Sequence, residues 1–310
     1  MRSSILVLFV AIAAWFSAAS VSPTASAIVG PTGPYDDAGT RAWRVQREKE
    51  LQTDTGWLTV AGLAFLRPGL NRVGSDPGAD VRLPSSAPRH VGTIGHEPGT
   101  TWFEPADPGL LRLDGAPITG RIAIGSRDHL SVGSISFHLH TSGDRVGVRI
   151  RDTDSALRRR FAGLRWFSIS RQWNVEGRFV PYESPREVTV PNVLGDFERL
   201  TLPGEVVFKV DGRELRLQAA QAGRRLWFIF SDRLGGRDTY HIRFLYSDAP
   251  DEHGRVVLDF NRAYNPPCAY NPFTTCPLPP PQNRLAVEID AGERIYRPAR
   301  ASSSAAPMPR

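Results

Sequence analysis

Short period-two stretches, broken by glycine, proline and aspartate roughly every 8–12 residues, run through most of this chain and favour antiparallel sheets over any other architecture. The first strand begins over 57–65, residues 72–73, 81–83, 91–94, 101–103, 110–113 and 121–124 come next, and 134–140 and 147–151 follow. Successive strand side chains point to opposite faces, so each alternating stretch buries one face and exposes the other. The spacing predicts a β-sandwich over 57–157 rather than a parallel α/β sheet. A second series covers 164–170, 173–182, 187–191, 205–210, 213–218, 225–230, 239–246 and 256–260, with a last strand at 285–289. Within it Asp211-Gly212 joins two alternating runs and tolerates the positive φ that a type I′ hairpin turn needs. The second series predicts an antiparallel β domain over 158–298. Mixed charges without glycine or proline after Gly39 predict one surface helix from 37 to about 52, inside an arm-and-helix segment at 28–56.

The two ends read differently. Arg2, the apolar run from Ile5 to Phe16 and the small residues Ala25-Ser26-Ala27 form an export signal, cleaved after residue 27. The run is shorter than the roughly 20 residues a membrane-spanning helix needs, and no later stretch is long and apolar enough to span. The expected location is the periplasm or the medium. The Ser/Ala/Pro tail at 299–310 has the composition of a disordered segment.

A pI near 9.7 invites a nucleic-acid reading. The charge argues against it, because the basic residues alternate with Asp and Glu and only Arg158-Arg159-Arg160 forms a run. Lys49 and Lys209 are the only lysines, so nearly all the positive charge is arginine. Cys268 and Cys276 are the only cysteines, and outside the cytoplasm such a close pair predicts a disulfide, with a loop-closure gain of about 2–3 kcal/mol. Their spacing lacks the pattern of a zinc knuckle, and no metal or other cofactor is expected.

Residues 68–124 resemble a forkhead-associated (FHA) domain, a β-sandwich that reads phosphothreonine. The likeness rests on Gly69-Leu70-Asn71-Arg72-Val73-Gly74-Ser75-Asp76, Asp80-Val81-Arg82-Leu83, His90 and Asp114-Gly115. Ser75, Ala87 and Asp114 stand where the family has its phosphate-reading Arg, Ser and Asn. Each departure removes a donor and Asp114 adds a repelling charge, so the resemblance implies the fold without phosphopeptide binding. It also implies a structural role for His90, bonded to the neighbouring turn.

From Gly56 to about Tyr296 the chain resembles the bacterial domain-of-unknown-function family 1684. The resemblance is carried by Gly56-Trp57-Leu58, Val73-Gly74-Ser75-Asp76, Phe161-Ala162-Gly163-Leu164-Arg165-Trp166-Phe167 and Phe244-Leu245-Tyr246. Its most specific strings are Asp259-Phe260-Asn261-Arg262-Ala263-Tyr264-Asn265-Pro266-Pro267-Cys268 and Thr275-Cys276-Pro277-Leu278-Pro279-Pro280-Pro281-Gln282-Asn283-Arg284. The resemblance implies an architecture and no mechanism.

The proline-rich loop at 259–284 is also the stretch densest in side-chain donors and acceptors. Asp259, Asn261, Arg262, Tyr264, Asn265 and Asn283, with Arg243 on a nearby strand, are the candidate ligand residues. Arg262 would meet an anion and Asp259 would act as base or orienting group. A plug over the sheet, its Asn and Asp residues satisfying buried backbone, is the competing reading.

His138 and His140 share one strand face and loosely resemble a cupin metal motif, but the later His of that family is missing and a strand-face role is the commoner one. The chain has no Gly-x-Ser-x-Gly elbow, His-Glu-x-x-His helix, or phosphate- or dinucleotide-binding glycine loop. Two functions remain open. One is a binding module holding a small polar or anionic ligand between the two β domains, with Arg149, Arg151, Arg243 and Arg262 meeting at the cleft and the 259–284 loop as its roof. The other is a hydrolase using Asp259 or Glu288 with Tyr264.

Overall fold

The computed structural model describes residues 34–298. The expected export signal, the first residues of the arm and the tail at 299–310 lie outside the described residues.

Helix α1 (Asp37–Gln52) starts where the side chain of Asp36 accepts the backbone N–H of Gly39 at 2.8 Å, and it ends as Thr53 turns to extended backbone ahead of Gly56. Asp37 in the first turn and Lys49 in the last both suit the helix dipole. The helix buries only Thr40 and Leu51, so little apolar burial holds it in place. Its arginines do that instead. Arg44 donates to the carbonyls of Phe167 and Asn261, both at 3.0 Å, and Arg47 donates to Asn265 O at 2.8 Å and to Glu293 at 3.1 Å.

The first β unit contains β1 (Val60–Phe65), β2 (Gly69–Gly74), β3 (Val81–Arg82), β4 (Gly92–Glu97), β5 (Thr100–Pro105), β6 (Arg112–Leu113), β7 (Ala116–Pro117), β8 (Ile122–Ala123), β9 (Leu130–Val132), β10 (Ile135–Ser142) and β11 (Arg145–Asp152). They form a sheet in the order β1-β11-β10-β9-β6-β7 and a second in the order β3-β2-β4-β5-β8. All pairings are antiparallel except β2 with β3. The alternation read from the sequence is what packs them. Ile135 and Phe137 on β10 and Val148 and Ile150 on β11 meet Val73, Ile94 and Phe103 from the opposite sheet. The same alternation turns His138, His140, Arg149 and Arg151 to the outer face.

The second unit is one antiparallel sheet of β12 (Asn174–Pro191), β13 (Phe197–Val210), β14 (Arg213–Ala222), β15 (Arg225–Phe230), β16 (Arg243–Asp248) and β17 (Arg255–Asp259), ordered β16-β15-β14-β13-β12-β17. Its edge strands approach each other through the segment after β17, where Phe244 and Tyr264 exchange two backbone hydrogen bonds of 2.9 Å. The enclosed face holds Phe208, Leu217, Phe228, Leu245, Leu258 and Phe260. Asp211 and Gly212 have φ of 49° and 74°, the conformation expected of the type I′ turn.

Four expected strands come out differently. The runs 173–182 and 187–191 are one long strand, β12, whose register against β13 shifts between Pro181 and Arg186. Residues 164–170 are irregular, with Trp166 bridging Glu293. The segment 285–289 alternates as expected, burying Leu285, Val287 and Ile289 in the second core. It joins no sheet, because the backbone reaches its neighbours only at separate points such as Leu285 N to Ser231 O at 2.8 Å.

The disulfide expected between Cys268 and Cys276 is not shown: the two lie close together but unbonded, and the Cys268 N–H donates to Cys276 Sγ at 3.3 Å. Cys276 belongs to an apolar cluster with Ile229, Ile242 and Phe244, over which the proline-rich loop is laid.

Candidate functional site

Helix α1 crosses the open end of the second sheet and leaves a cleft of about 760 Å³ between them. One wall comes from the helix and the residues just before it: Tyr35, Trp43, Gln46, Arg47 and Glu50. The other comes from the strand ends and the start of the proline-rich loop: Asn174, Arg225, Tyr246, Asp259, Arg262 and Tyr264.

A polar network ties the two walls together. Tyr35 Oη donates to Asp259 Oδ2 at 2.7 Å and lies 2.6 Å from Thr40 Oγ1. Arg262 Nε donates to the same Thr40 oxygen at 3.1 Å and sits 3.2 Å from Asp259 Oδ2. The other oxygen of Asp259 accepts the backbone N–H of Asn261 at 3.2 Å and its side-chain amide at 3.0 Å. Burial, reinforced by the bond to the Asp259 carboxylate, pushes the Tyr35 phenol up to about 12.

Beside the network stands an aromatic wall. Trp43 and Tyr264 lie 6.1 Å apart, and Tyr264 stacks on Tyr246 at 6.4 Å. The Arg47 guanidinium caps Tyr264 at 4.1 Å and that of Arg225 caps Tyr246 at 4.9 Å. Burial raises both phenols above their ordinary range, Tyr264 further than Tyr246. At neutral pH both are therefore hydrogen-bonding hydroxyls and not bases.

Three of the seven candidate ligand residues, Asp259, Arg262 and Tyr264, meet in this cleft. The other four turn into the protein. Asn261 is fully buried, accepting Ser170 N–H and donating to Ser170 O, both at 2.9 Å. Asn265 donates to Glu293 and to Arg294 O, each at 2.8 Å. Asn283 accepts Gln218 N–H at 2.7 Å and donates to Gln218 O at 3.0 Å and Ile229 O at 2.9 Å. Arg243, also fully buried, pairs with Asp232 at 2.6 Å and donates to the carbonyls of Ile289 and Ala291. For these four the proline-rich loop is a plug, and its amides complete backbone that the sheet leaves open.

Other expectations move with them. The four arginines Arg149, Arg151, Arg243 and Arg262 do not converge, because the first two sit on the outer face of β11 and Arg243 inside the second unit. The cleft lies between α1 and the second sheet, not between the two β units, and the proline-rich loop supplies its floor while the helix is its roof. Glu288 lies exposed on the surface, 3.2 Å from Arg237, and does not line the cleft. His90 is exposed, and its turn is closed by backbone instead, with Ser75 N to Pro88 O at 3.0 Å and Asp76 N to Arg89 O at 3.1 Å.

Tyr35, Arg47, Arg225 and Tyr246 are residues of the cleft that sequence reasoning missed. A signal existed for Arg47. Thr40, Trp43, Arg47 and Leu51 repeat at helical spacing and mark the inner face of α1, although that face carries arginine where apolar residues are usual.

Among the described residues no group of three or more His, Cys, Asp or Glu side chains is placed to hold a metal ion, and no helix is long and apolar enough to cross a membrane.

Residues 159–294 match the family described as "Protein of unknown function (DUF1684)", a narrower span than the 56–296 expected. An uncharacterised protein of Haloarcula marismortui, solved in solution by NMR, is 31% identical over 44% of this chain and 78% of its own, with a TM-score of 0.38. An FHA domain from a study of phosphothreonine-dependent FHA interactions is 17% identical over 29% of this chain and 92% of its own, with a TM-score of 0.22. The FHA domain of Rv0020c is 20% identical over 28% of this chain and 78% of its own, with a TM-score of 0.21. No curated protein matches.

Proposed function

Starting from a chain whose residues 159–294 match the family of unknown function DUF1684, we propose that it binds a small polar ligand in the cleft between α1 and the second sheet. One observation carries this reading. A cleft of about 760 Å³ places a hydrogen-bonding network, Tyr35–Asp259–Arg262, beside an aromatic wall, Trp43–Tyr264–Tyr246. Sites for small ligands combine apolar or aromatic walls with a few fixed polar groups. The cleft carries carboxylates at Asp36, Glu50, Asp248 and Asp259 and guanidiniums at Arg47, Arg225 and Arg262. Mixed charge of that kind suits a ligand bearing hydroxyls or both signs of charge better than a strong anion. If residues 1–27 act as the export signal expected from the sequence, binding takes place outside the cytoplasm, which cell fractionation checks.

The test is a thermal-shift screen of sugars, amino acids and hydroxy acids against the wild-type chain and the variants Trp43→Ala and Arg262→Ala. A compound that raises the wild-type Tm and fails to raise that of either variant is the expected result. A screen in which no compound shifts the wild type, or in which hits act equally on both variants, refutes the reading.

A further inference from the structure

Burial of an arginine is costly unless its charge is met, and two buried arginines in this protein follow that rule. Arg243 pairs with Asp232 and Arg47 with Glu293. The outer face of the first sheet breaks it. Arg149 on β11 is only 6% exposed, yet its guanidinium meets no carboxylate: one nitrogen bonds His140 Nε2 at 2.8 Å and Thr275 Oγ1 at 3.4 Å, and its Nε has no partner at all. Two residues along the strand, Arg151 donates to Gly56 O at 2.7 Å and Thr59 Oγ1 at 3.1 Å, again neutral acceptors. Both guanidiniums flank the Trp57 ring, at 5.5 and 5.6 Å.

The nearest side chains do not supply the missing counter-charge. His138 sits directly opposite Arg149 in the β10–β11 register, and its Nδ1 is buried without a partner. The rings of His129 and His138 lie 5.0 Å apart, with exposed His129 toward solvent. Glu198, and Cys276 when it is a thiolate, act on Arg149 with the opposite sign, but neither hydrogen-bonds its guanidinium. Burial and the surrounding cations hold His138 and His140 down to about 4, and Arg149 itself down to about 10. Such a field repels metal cations and attracts anions.

We propose that Arg149, Arg151 and His138 form a site for a small oxyanion of the phosphate or sulfate type, free or as the terminal group of a larger ligand, on the outer face of the first sheet beneath Trp57. The guanidinium forks supply planar, paired donors and Trp57 fixes their orientation. His138 donates from Nδ1 once the anion's charge favours its protonated or Nδ1–H form. The site is separate from the cleft beside α1 and shares no residue with it.

The experiment adds inorganic phosphate, sulfate and a phosphate monoester to the whole chain, with chloride at matched ionic strength as control. Thermal shift and NMR titration of the His138 and His140 rings are the readouts. Phosphate or sulfate is expected to raise Tm at millimolar concentration where chloride does not, and to move the His138 titration upward from about 4. A response to the monoester alone assigns the site to a larger ligand, and an equal response to both assigns it to the free ion. Arg149→Met should abolish each shift. If that variant does not fold, Arg151→Gln, on a residue less buried than Arg149, should weaken binding at least tenfold. Shifts equal to chloride, or retained in both variants, overturn the proposal. So does a Cys276 thiolate at neutral pH, seen by its ultraviolet absorbance, in a chain that ignores phosphate, since the missing counter-charge would then be internal.

Discussion

Replacement of Asn283 by alanine should destabilise the second unit by about 3 kcal/mol while leaving the helix-side cleft intact. Asn283 is 1% exposed and its amide is stitched to Gln218 N–H, Gln218 O and Ile229 O at 2.7, 3.0 and 2.9 Å. These groups lie where β14 and β15 draw apart and no longer bond each other, so the side chain stands in for a missing stretch of strand. Alanine leaves a buried N–H and two carbonyls open. An unmet buried group costs about 1–3 kcal/mol, the donor being the least replaceable of the three, and carbonyls with a second partner cost less. The sum lies near 3 kcal/mol. For a unit of this size that corresponds to a Tm lower by roughly 6–12 °C. Urea unfolding followed by tryptophan fluorescence reads it directly, and Asn283→Asp should be worse, because a carboxylate accepts from Gln218 but faces two carbonyls. A loss below about 0.5 kcal/mol would show that water replaces the amide and that the proline-rich loop is not a backbone plug.

Removal of Asp232 should cost about 3–5 kcal/mol by leaving Arg243 charged and unpaired in the core, and the double variant Asp232→Leu/Arg243→Met should recover most of it in chemical denaturation. His138 and His140 carry depressed folded pKa values of about 4, so the unfolded chain binds more protons between pH 4 and the ordinary value near 6.5. Their contribution is complete above pH 6.5 and is lost as the pH falls toward 4. A Tm profile across that window should flatten in the double variant His138→Asn/His140→Asn. Asp211→Ala forces a Cβ-bearing residue without a compensating side-chain bond to hold φ at 49°, and should lower stability by about 1 kcal/mol, while Asp211→Gly should be neutral or better.

The sheets were legible because alternation is a local property: Ile135 and Phe137 on β10, like Val148 and Ile150 on β11, stand two positions apart and enter the same core. The Asp211-Gly212 turn was legible for the same reason. Segment 285–289 shows where local reading ends: the apolar period is real, but strand status depends on a neighbour with free backbone, and the second sheet offers only isolated points. The site was half legible. Asp259, Arg262 and Tyr264 stand out in an unusual loop, yet nothing local distinguishes them from Asn261, Asn265 and Asn283, whose side chains find partners up to 91 residues away. The opposite wall belongs to a helix more than 200 residues upstream, joined to Asp259 through Tyr35. Such pairings follow from topology and leave no mark on either segment alone.

The same distance effect explains the positive charge. Read along the chain, the arginines scatter; read in space, many point inward. Arg44 and Arg47 hang the helix on carbonyls of the second unit, Arg243 ties the segment at 289–291 to the second sheet, and Arg145 joins the two β units by forking onto Asp196. A planar guanidinium serves several acceptors in different directions at once, which an ammonium on a flexible stem does not, so the near absence of lysine fits a chain whose cations are structural. Within that economy each deeply buried arginine has a carboxylate, a fork of carbonyls, or both. Arg149 has neither, and that exception, rather than the total charge, is what marks the outer face of the first sheet as a place where an anion belongs.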